Sequence, residues 1–165
     1  MIEVADKDAV ELLEADHIAT KHLFVEYARM AYAAPDEAGE RAALAMKICD
    51  ELTVHAQVEE EIFYPALREA APDAADLLDE ARAEHGEAKA LIAQVQAQGA
   101  AGEAMDALVA QLAATVEHHV KEERMYLFPK AKARLDLAAL GEQLRARQQE
   151  LLAAGGARKK RPAGR

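Results

Sequence analysis

Residues 55–65 read HAQVEEEIFYP and residues 119–129 read HVKEERMYLFP, two matching stretches that decide the fold of this chain. Both have the pattern His-x3-Glu-x5-Pro, and the second copy begins 64 residues after the first. Another repeat precedes each copy, since residues 15–24, ADHIATKHLF, match residues 83–92, AEHGEAKALI, at an offset of 68. The chain therefore consists of two similar halves, and each half carries a lone histidine followed by a His–Glu pair.

The composition of the 165-residue chain is that of one all-α domain. It contains 40 Ala but only 17 residues of Val, Ile and Thr together. Ala, Leu, Glu, Lys, Arg and Gln are strong helix formers, whereas β-sheet cores need branched and aromatic side chains. With no Trp and only 4 Tyr and 3 Phe, the core is thin in large side chains. Something besides apolar packing is expected to help hold its centre together.

Five helical segments follow from the apolar spacing and the breakers between the segments. Pro65 lacks the N–H that the helix ladder needs, so a stop or a kink is expected there. The short connections predict an up-down-up-down four-helix bundle with an additional C-terminal helix packed outside it. We expect the bundle in residues 1–135, the accessory helix in 136–154 and a basic disordered tail in 155–165. The predicted helices are Asp8–Ala33, Ala38–Tyr64, Asp73–Gln98, Glu103–Phe128 and Leu137–Ala153.

Several classes of protein are disfavoured. A single cysteine, Cys49, precludes an internal disulfide and favours a reducing compartment, so a cytoplasmic location is expected. The first eight residues lack the basic and apolar regions of a secretory signal, and no window is apolar enough to span a membrane. The net charge is −10. A body this acidic repels phosphate backbones, so nucleic acid is not expected as the main ligand.

The histidines and glutamates of the repeats have the spacing of a metal site. Positions i and i+4 share one face of a helix, so a His–Glu pair directs a ring nitrogen and a carboxylate oxygen at the same ion. Nitrogen and oxygen ligands suit first-row metals such as iron, manganese or zinc, and the lack of thiolate argues against structural zinc and copper(I). Six ligands are too many for one ion, whereas two ions bridged by two carboxylates use all six. The repeat assigns His17 and His55 to one ion, His85 and His119 to the other, and Glu59 and Glu123 as bridges.

A purely structural role for these residues is the alternative to this assignment. A lone histidine in a core is more often hydrogen-bonded than metal-bound. The pairs His22–Glu26 and His118–Glu122 show that the i,i+4 spacing also occurs here without special meaning. The metal hypothesis rests on the joint pattern, in which four histidines on four helices and two glutamates fall at matched positions of a duplicated frame.

The neighbours of the ligands carry weaker expectations. Asp16 and Glu84 each precede a ligand histidine by one residue, point about 100° away from it, and are expected to form helix-surface pairs. Lys21 and Lys89 lie one turn from a ligand histidine and are expected to cover the bundle or to bond a bridge or an anion. The residues seven positions after each ligand histidine are expected to wall the site: Phe24, Ile62, Ile92 and Tyr126.

Taken together, these motifs resemble the hemerythrin-like HHE cation-binding domain. The resemblance covers about residues 8–135 and implies a four-helix bundle around a non-haem di-iron centre. Two iron ions with an oxo or hydroxo bridge are implied, with manganese or zinc as substitutes, together with a role in handling oxygen, nitric oxide, peroxide or iron. Ferritin-like proteins use Glu-x-x-His, a spacing absent at these positions. The resemblance is carried by Asp16-His17, His55-x3-Glu59 with Phe63-Tyr64-Pro65, Glu84-His85, and His119-x3-Glu123 with Leu127-Phe128-Pro129.

The chain departs from the oxygen-carrying hemerythrins at two points. Lys89 stands where those proteins have a fifth histidine, which makes reversible oxygen carriage doubtful. Their last carboxylate follows its histidine by five residues, which would select His118, whereas the internal repeat favours His119. The expected function is the binding or sensing of a small oxidant, either a diatomic molecule or peroxide, at a carboxylate-bridged centre. The alternatives are an oxidoreductase acting on peroxide or nitric oxide, an iron-buffering protein, and a metal-free helical adaptor.

Overall fold

Helices account for nearly all of the chain in a computed structural model, which describes residues 7–160, with side chains up to residue 155. No helix in this part of the chain is long and apolar enough to cross a membrane. Two π-helical turns, Glu59–Phe63 and Glu123–Leu127, join successive helices, and a 3-10 turn, Pro72–Ala74, precedes the fourth. The α-helices are α1 (Ala9–Ala33), α2 (Ala38–Val58), α3 (Tyr64–Ala70), α4 (Ala75–Gln98), α5 (Glu103–Glu122), α6 (Phe128–Arg134) and α7 (Leu137–Lys160).

The arrangement confirms the predicted all-α bundle with an extra helix. Helix α1 packs against α2 and α5, and α4 packs against the same two helices, so that α1, α2, α4 and α5 form a ring of neighbours. Short connections between sequence neighbours make each pair antiparallel. Helix α7 lies outside this ring, against α1, α2 and the first π turn.

The ends of the helices are fixed by local signals. Asp8 caps α1, since its carboxylate accepts a hydrogen bond from the Glu11 N–H while the Glu11 side chain accepts one from the Asp8 N–H. Gly99 ends α4 with φ at 68°, a left-handed conformation that favours glycine. The Gly99 end permits the sharp reversal that brings α4 and α5 side by side.

The chain stays helical through both prolines, so the second and fourth predicted helices do not end at Tyr64 and Phe128. In each half the chain passes through a π turn, closed by the N–H of Tyr64 donating to the Glu59 carbonyl and the N–H of Phe128 donating to the Glu123 carbonyl. The following proline then lies in the first turn of α3 or α6, where its missing N–H costs nothing. The π turn fits one additional residue, so every side chain after it is displaced by one position relative to a continuous α-helix.

Two clusters of buried apolar side chains fill the bundle. One includes Leu13, Phe63 and Phe128 and lies towards the end of the bundle that α7 covers. The other includes Ile48 and Leu112 and lies towards the opposite end. The residues predicted as ligands fall between these clusters along every helix.

Helix α7 is longer than predicted and continues to Lys160 instead of ending near Ala153. Each glycine inside a helix costs about 1 kcal/mol relative to alanine but does not forbid the helical conformation, so Gly155-Gly156 is not a stop signal. Residues 161–165 of the predicted basic disordered tail lie outside the described residues. Helix α7 is held to the bundle by Arg145, which donates to the carbonyl of Lys7 at 2.6 Å.

Gly141 marks the closest approach of α7 to the bundle. A Cβ atom at this position would lie 3.0 Å from backbone atoms of Lys7, Asp8 and Ala9. We expect Gly141→Ala to destabilise the metal-free protein by about 1–3 kcal/mol, because backbone atoms cannot move aside as a flexible side chain can. Gly86→Ala is the control, since a Cβ there meets nothing within 4 Å. It should stabilise α4 by about 0.5–1 kcal/mol. Chemical denaturation measures the free energy of unfolding of both variants. Equal changes in the two variants would contradict the close approach of Gly141 to residues 7–9.

Candidate metal centre

The six predicted ligands meet at one level of the bundle, between the two apolar clusters. Glu59 and Glu123 are fully buried at 0% exposure, and the four histidines are nearly so. Burying two carboxylates in a helical core is costly unless each is paired or bound to an ion. We refer to this set as the inner cluster: His17, His55, Glu59, His85, His119 and Glu123.

The histidines of the inner cluster form two pairs. His17 Nε2 lies 3.1 Å from His55 Nε2, and His85 Nε2 lies 3.1 Å from His119 Nε2. Within each pair the two rings are nearly perpendicular, at 61° and 65°. The pairing is the one expected from the repeat, with one pair from each half of the chain.

The two glutamates link these pairs, and one oxygen of each lies between histidines of different halves. Both groups of candidate ligand atoms, one around each histidine pair, include Glu59. Glu59 Oε1 lies 3.3 Å from His55 Nε2 and 3.1 Å from His85 Nε2, while Glu123 Oε1 lies 3.2 Å from His17 Nε2 and 3.1 Å from His119 Nε2.

The spacing of these atoms fits metal coordination. Ligands at about 2.1 Å from one ion and at right angles to each other lie about 3.0 Å apart, close to the observed separations. Glu59 Oε2 and Glu123 Oε1 are buried and have no hydrogen-bond partner among the described residues. Unsatisfied buried carboxylate oxygens cost free energy that a bound cation would remove. The residues present therefore fit two cations.

Tyr64 also enters the inner cluster, although the periodicity did not predict it. Its hydroxyl lies 3.3 Å from Glu59 Oε1 and donates to Glu123 Oε2 at 3.0 Å. It also lies 3.3 Å from His85 Nε2 and 3.1 Å from His119 Nε2. Nine residues after His55, Tyr64 would face the opposite side of a continuous α-helix. The π turn places Tyr64 one turn after Glu59 instead. Periodicity alone does not reveal this turn, so it does not predict that Tyr64 faces the site.

The equivalent position in the second half is Phe128, and this difference breaks the symmetry of the centre. The Phe128 ring stacks on the His17 ring with centroids 5.8 Å apart and an interplanar angle of 14°. One half therefore presents a hydroxyl to the inner cluster where the other presents an apolar ring. The phenol is almost fully buried, and burial together with Glu59 and Glu123 raises the pKa of Tyr64 well above its usual value. In the absence of a cation Tyr64 holds its proton.

The expectation that Asp16 and Glu84 form only helix-surface pairs is wrong. Asp16 Oδ2 lies 3.1 Å from His55 Nδ1, and Glu84 Oε1 lies 2.8 Å from His119 Nδ1. Asp16 precedes His17 on α1 but contacts His55 on α2. In the same way Glu84 on α4 contacts His119 on α5. With Nδ1–H donating to a carboxylate, Nε2 is left to face the inner cluster, which is the usual orientation of a metal-binding histidine.

Negative charge around the inner cluster holds protons on two histidines when no cation is bound. Burial by itself lowers the pKa of His55, but attraction to Glu59 and the hydrogen bond to Asp16 outweigh it and raise that pKa to about 10. Burial is likewise outweighed at His119, where Glu123 and Glu59 raise the pKa to about 12. Burial also opposes the charged form of Glu59, yet His55 and the other donors hold its pKa well below the usual range. The site is built to contain positive charge.

A small cavity of about 40 Å³ adjoins the four histidines and has room for a molecule of two or three atoms. Ile92 lines it as predicted, together with Leu52 and Val116. Phe24 packs in the neighbouring apolar cluster and is not among the cavity residues.

The prediction that Ile62 and Tyr126, seven residues after His55 and His119, wall the site is wrong. Tyr126 is 49% exposed, and Ile62 packs against the apolar cluster near α7. The π turns shift the inward positions by one residue, so that Phe63 and Leu127 are buried in their place.

Lys89, one helical turn after His85, lies at the edge of the cavity. Its Nζ contacts Glu60 Oε2 at 2.9 Å, and its side chain is half-exposed. Glu60 Oε2 in turn lies 3.4 Å from His85 Nδ1. The lysine is paired with a carboxylate at the surface and does not reach the inner cluster.

The other histidines lie outside the inner cluster. His22 is exposed on α1. His118 is 64% exposed and contacts Glu84 and Glu122. Of the two neighbouring histidines on α5, His119 is the one that points inwards.

Comparison with known proteins agrees with this geometry. The family model of the Hemerythrin HHE cation binding domain matches residues 8–154. A crystal structure of a Hemerythrin HHE cation binding domain-containing protein, the Rv2633c homolog from Mycobacterium kansasii, superposes with a TM-score of 0.75 at 25% sequence identity, covering 96% of this chain and 95% of that one. No curated protein matches the chain. A family match over most of the chain, together with buried groups of histidine and glutamate, shows that this chain belongs to the hemerythrin HHE cation-binding domain family.

Proposed function

We propose that the inner cluster holds a dinuclear non-haem iron centre and that the protein uses it to bind or sense oxygen, nitric oxide or peroxide. The observation that carries the proposal is the position of Glu59 and Glu123, each of which reaches a histidine of both halves inside a buried site. Two carboxylates so placed are suited to bridge two ions. They also offset part of the charge of two divalent ions in a dry core.

The donor set supports iron as the metal, with manganese or zinc as substitutes. Four imidazole nitrogens and two carboxylates without thiolate suit these first-row ions. Tyr64 adds a phenol oxygen within 3.3 Å of both glutamates. Its hydroxyl is a seventh candidate ligand or, with its proton retained, a hydrogen-bond donor to the centre.

When bound, the two ions would supply open coordination positions and redox equivalents. The chain itself orients the histidines through Asp16 and Glu84, excludes water with the apolar clusters, and keeps a proton at the Tyr64 hydroxyl. The small cavity beside the histidines limits access to molecules of a few atoms. These features support a small oxidant as the ligand.

Reduction of peroxide or nitric oxide at the same centre is the second candidate function. It is favoured by Tyr64, because a buried hydroxyl beside the centre could donate a hydrogen bond that stabilises charge developing on a ligand during reduction. Turnover of peroxide or nitric oxide at catalytic rates would favour this function, whereas stoichiometric binding without turnover would favour binding or sensing.

The proposal is tested by metal analysis and absorption spectroscopy of the full chain purified in air. We expect about two iron ions per chain and an absorption band from a bridged di-iron centre. The band should change on addition of peroxide or nitric oxide. A chain that takes up no iron, manganese or zinc would contradict the proposal and leave a helical scaffold.

Metal uptake is expected to release protons. Since the pKa values of His55 and His119 are raised to about 10 and about 12, both rings are protonated at neutral pH. Each must lose a proton to bind an ion, so loading at pH 7 should release about two protons. Metal affinity should therefore fall as the pH falls. Calorimetric titration with zinc in buffers of different ionisation enthalpy measures the number.

The same pKa values give the sign of the pH effect on the metal-free fold. A histidine whose pKa is raised by folding stabilises the folded state fully below its unfolded pKa of about 6.5. For His55 this stabilisation is lost as the pH rises through about 10. The metal-free protein should accordingly lose stability as the solution becomes alkaline.

The proton-release experiment has its own contrary outcome. Zinc binding without proton release would contradict the protonated state of His55 and His119.

A further inference from the structure

A second group of metal-ligating side chains lies outside the inner cluster, on the surface of the second half. His118 Nε2 lies 3.0 Å from Glu122 Oε1 and 3.3 Å from Glu84 Oε2. The ligand atoms of these three residues all lie within 4.8 Å of one another. One imidazole nitrogen and two carboxylate oxygens thus converge at a point that solvent can reach, since His118 is 64% exposed.

The helices fix this group in place. His118 and Glu122 are one turn apart on α5, and Glu84 is contributed by α4, which packs along α5. Glu84 serves two histidines at once, because its Oε1 meets His119 Nδ1 at 2.8 Å while its Oε2 faces His118. The carboxylate that orients an inner histidine is therefore also part of the outer group.

We propose that Glu84, His118 and Glu122 form an outer binding site for a divalent first-row transition-metal ion. The separations of 3.0 and 3.3 Å match those of neighbouring ligands on one ion. A histidine with two carboxylates suits manganese, iron, cobalt or zinc, and water completes the coordination at an exposed site. An ion held there shares Glu84 with the hydrogen bond to His119, so the outer site is linked to the inner cluster through one carboxylate.

Charge separates this group from an ordinary surface ion pair. Among the residues described, no Lys or Arg forms an ion pair with Glu84 or Glu122, so His118 is the only basic side chain placed between these two carboxylates. The pair His22–Glu26 on α1 is different, because Glu26 is already paired with Arg29. His22–Glu26 has the same i,i+4 spacing without the second carboxylate and is a matched control.

The first half of the chain does not repeat this arrangement. The repeat aligns His118 with Val54 and Glu122 with Val58. Asp16, the counterpart of Glu84, instead accepts a hydrogen bond from Gln148 of α7 at 3.0 Å. The accessory helix completes the environment of one inner histidine, whereas the outer group occupies the corresponding place in the other half.

The outer site is tested by zinc titration of the metal-free full chain, with the number of bound ions read from competition with a chromophoric chelator. We expect the wild type and His22→Ala to bind one zinc ion more per chain than His118→Ala. Glu122→Gln should lose the same ion, which guards against an effect of His118→Ala on its neighbour His119. Equal numbers for the wild type and His118→Ala would overturn the proposal and leave His118 as an ion-pair partner only.

A second measurement locates the ion. After two equivalents of zinc, substoichiometric Mn²⁺ should broaden the NMR signal of the His118 Cε1 proton and spare that of His22. The proposal would be overturned if both signals broadened equally or if neither signal broadened. The outer site and the proposed function can fail separately. If Glu59→Gln binds as many zinc ions as the wild type, the inner cluster does not hold them and the proposed function fails, while an ion lost with His118→Ala would still establish the outer site.

Discussion

Glu59→Gln is expected to empty the metal centre. The amide keeps the volume of the buried carboxylate but removes the negative charge and the oxygen that reaches His55 and His85. Only Glu123 would then be left to bridge two ions, and one carboxylate instead of two would offset the repulsion between the cations in a dry core. Iron content after purification should fall from about two ions per chain to nearly none. Zinc should raise the melting temperature much less than in the wild type, because the folded state of the variant binds fewer ions and a ligand stabilises only the state that binds it.

Glu123→Ala should act in the same way, since Glu123 holds the corresponding position between His17 and His119. This variant should also lose thermal stability in the metal-free form, because removing a buried carboxylate leaves a cavity and an unpaired histidine charge. His22→Ala is the control, as an exposed histidine that also has a glutamate four residues later. Unchanged iron content in the glutamate variants would refute the bridging role, and a large loss in His22→Ala would mean that the ligand set is misassigned.

Asp16→Ala should weaken metal binding without abolishing it. The Asp16 carboxylate fixes the tautomer and orientation of His55 through the contact of 3.1 Å with its Nδ1. Loss of a group of this kind typically costs 10–100-fold in metal affinity, and we expect about that loss here. Competition of the full chain with a chelator of known zinc affinity measures it. Asp16→Asn should lie between the wild type and Asp16→Ala, because an amide oxygen can still accept the hydrogen bond.

Controls for Asp16 separate orientation from net charge. Glu80→Ala removes an exposed acid from α4 and should leave the zinc affinity unchanged within a factor of about two, since distant surface charges are screened. Gln148→Leu removes the donor that holds Asp16 from α7 and should produce a smaller loss than Asp16→Ala. Equal losses in Asp16→Ala and Glu80→Ala would show that the effect is only electrostatic and that Asp16 does not position His55.

Much of the fold could be predicted because the repeats and the composition are local signals. The spacing of apolar residues predicted five helical segments. The His-x3-Glu pairs indicated which face of two of these helices points towards the candidate metal site. The structure brings together the six residues that this reasoning selected as ligands, with the pairing of histidines that the repeat implied. The exposed position of His118 and the inward position of His119 agree with the choice that the repeat favoured.

The failures at Ile62, Tyr64 and Tyr126 share one physical cause. Periodicity assumes that every residue advances the helix by the same angle, but the π turns at Glu59 and Glu123 each insert a residue. For this reason Tyr64 joins the inner cluster, whereas Ile62 and Tyr126 do not line it. The prediction that Asp16 lies in a helix-surface pair fails for another reason. Asp16 does point away from His17 on α1, but this direction leads to His55 on the neighbouring helix α2.

The sequence by itself determined the class of fold, the two-fold repeat and which histidines and glutamates are the candidate ligands, because spacing along one helix is encoded in consecutive residues. Only the tertiary structure decided that Tyr64 and the carboxylates of Asp16 and Glu84 surround the inner histidines, and that His118 meets an acid from α4. These contacts depend on helix register and on which helices are neighbours. Both are set by the packing of the whole bundle and not by any one segment.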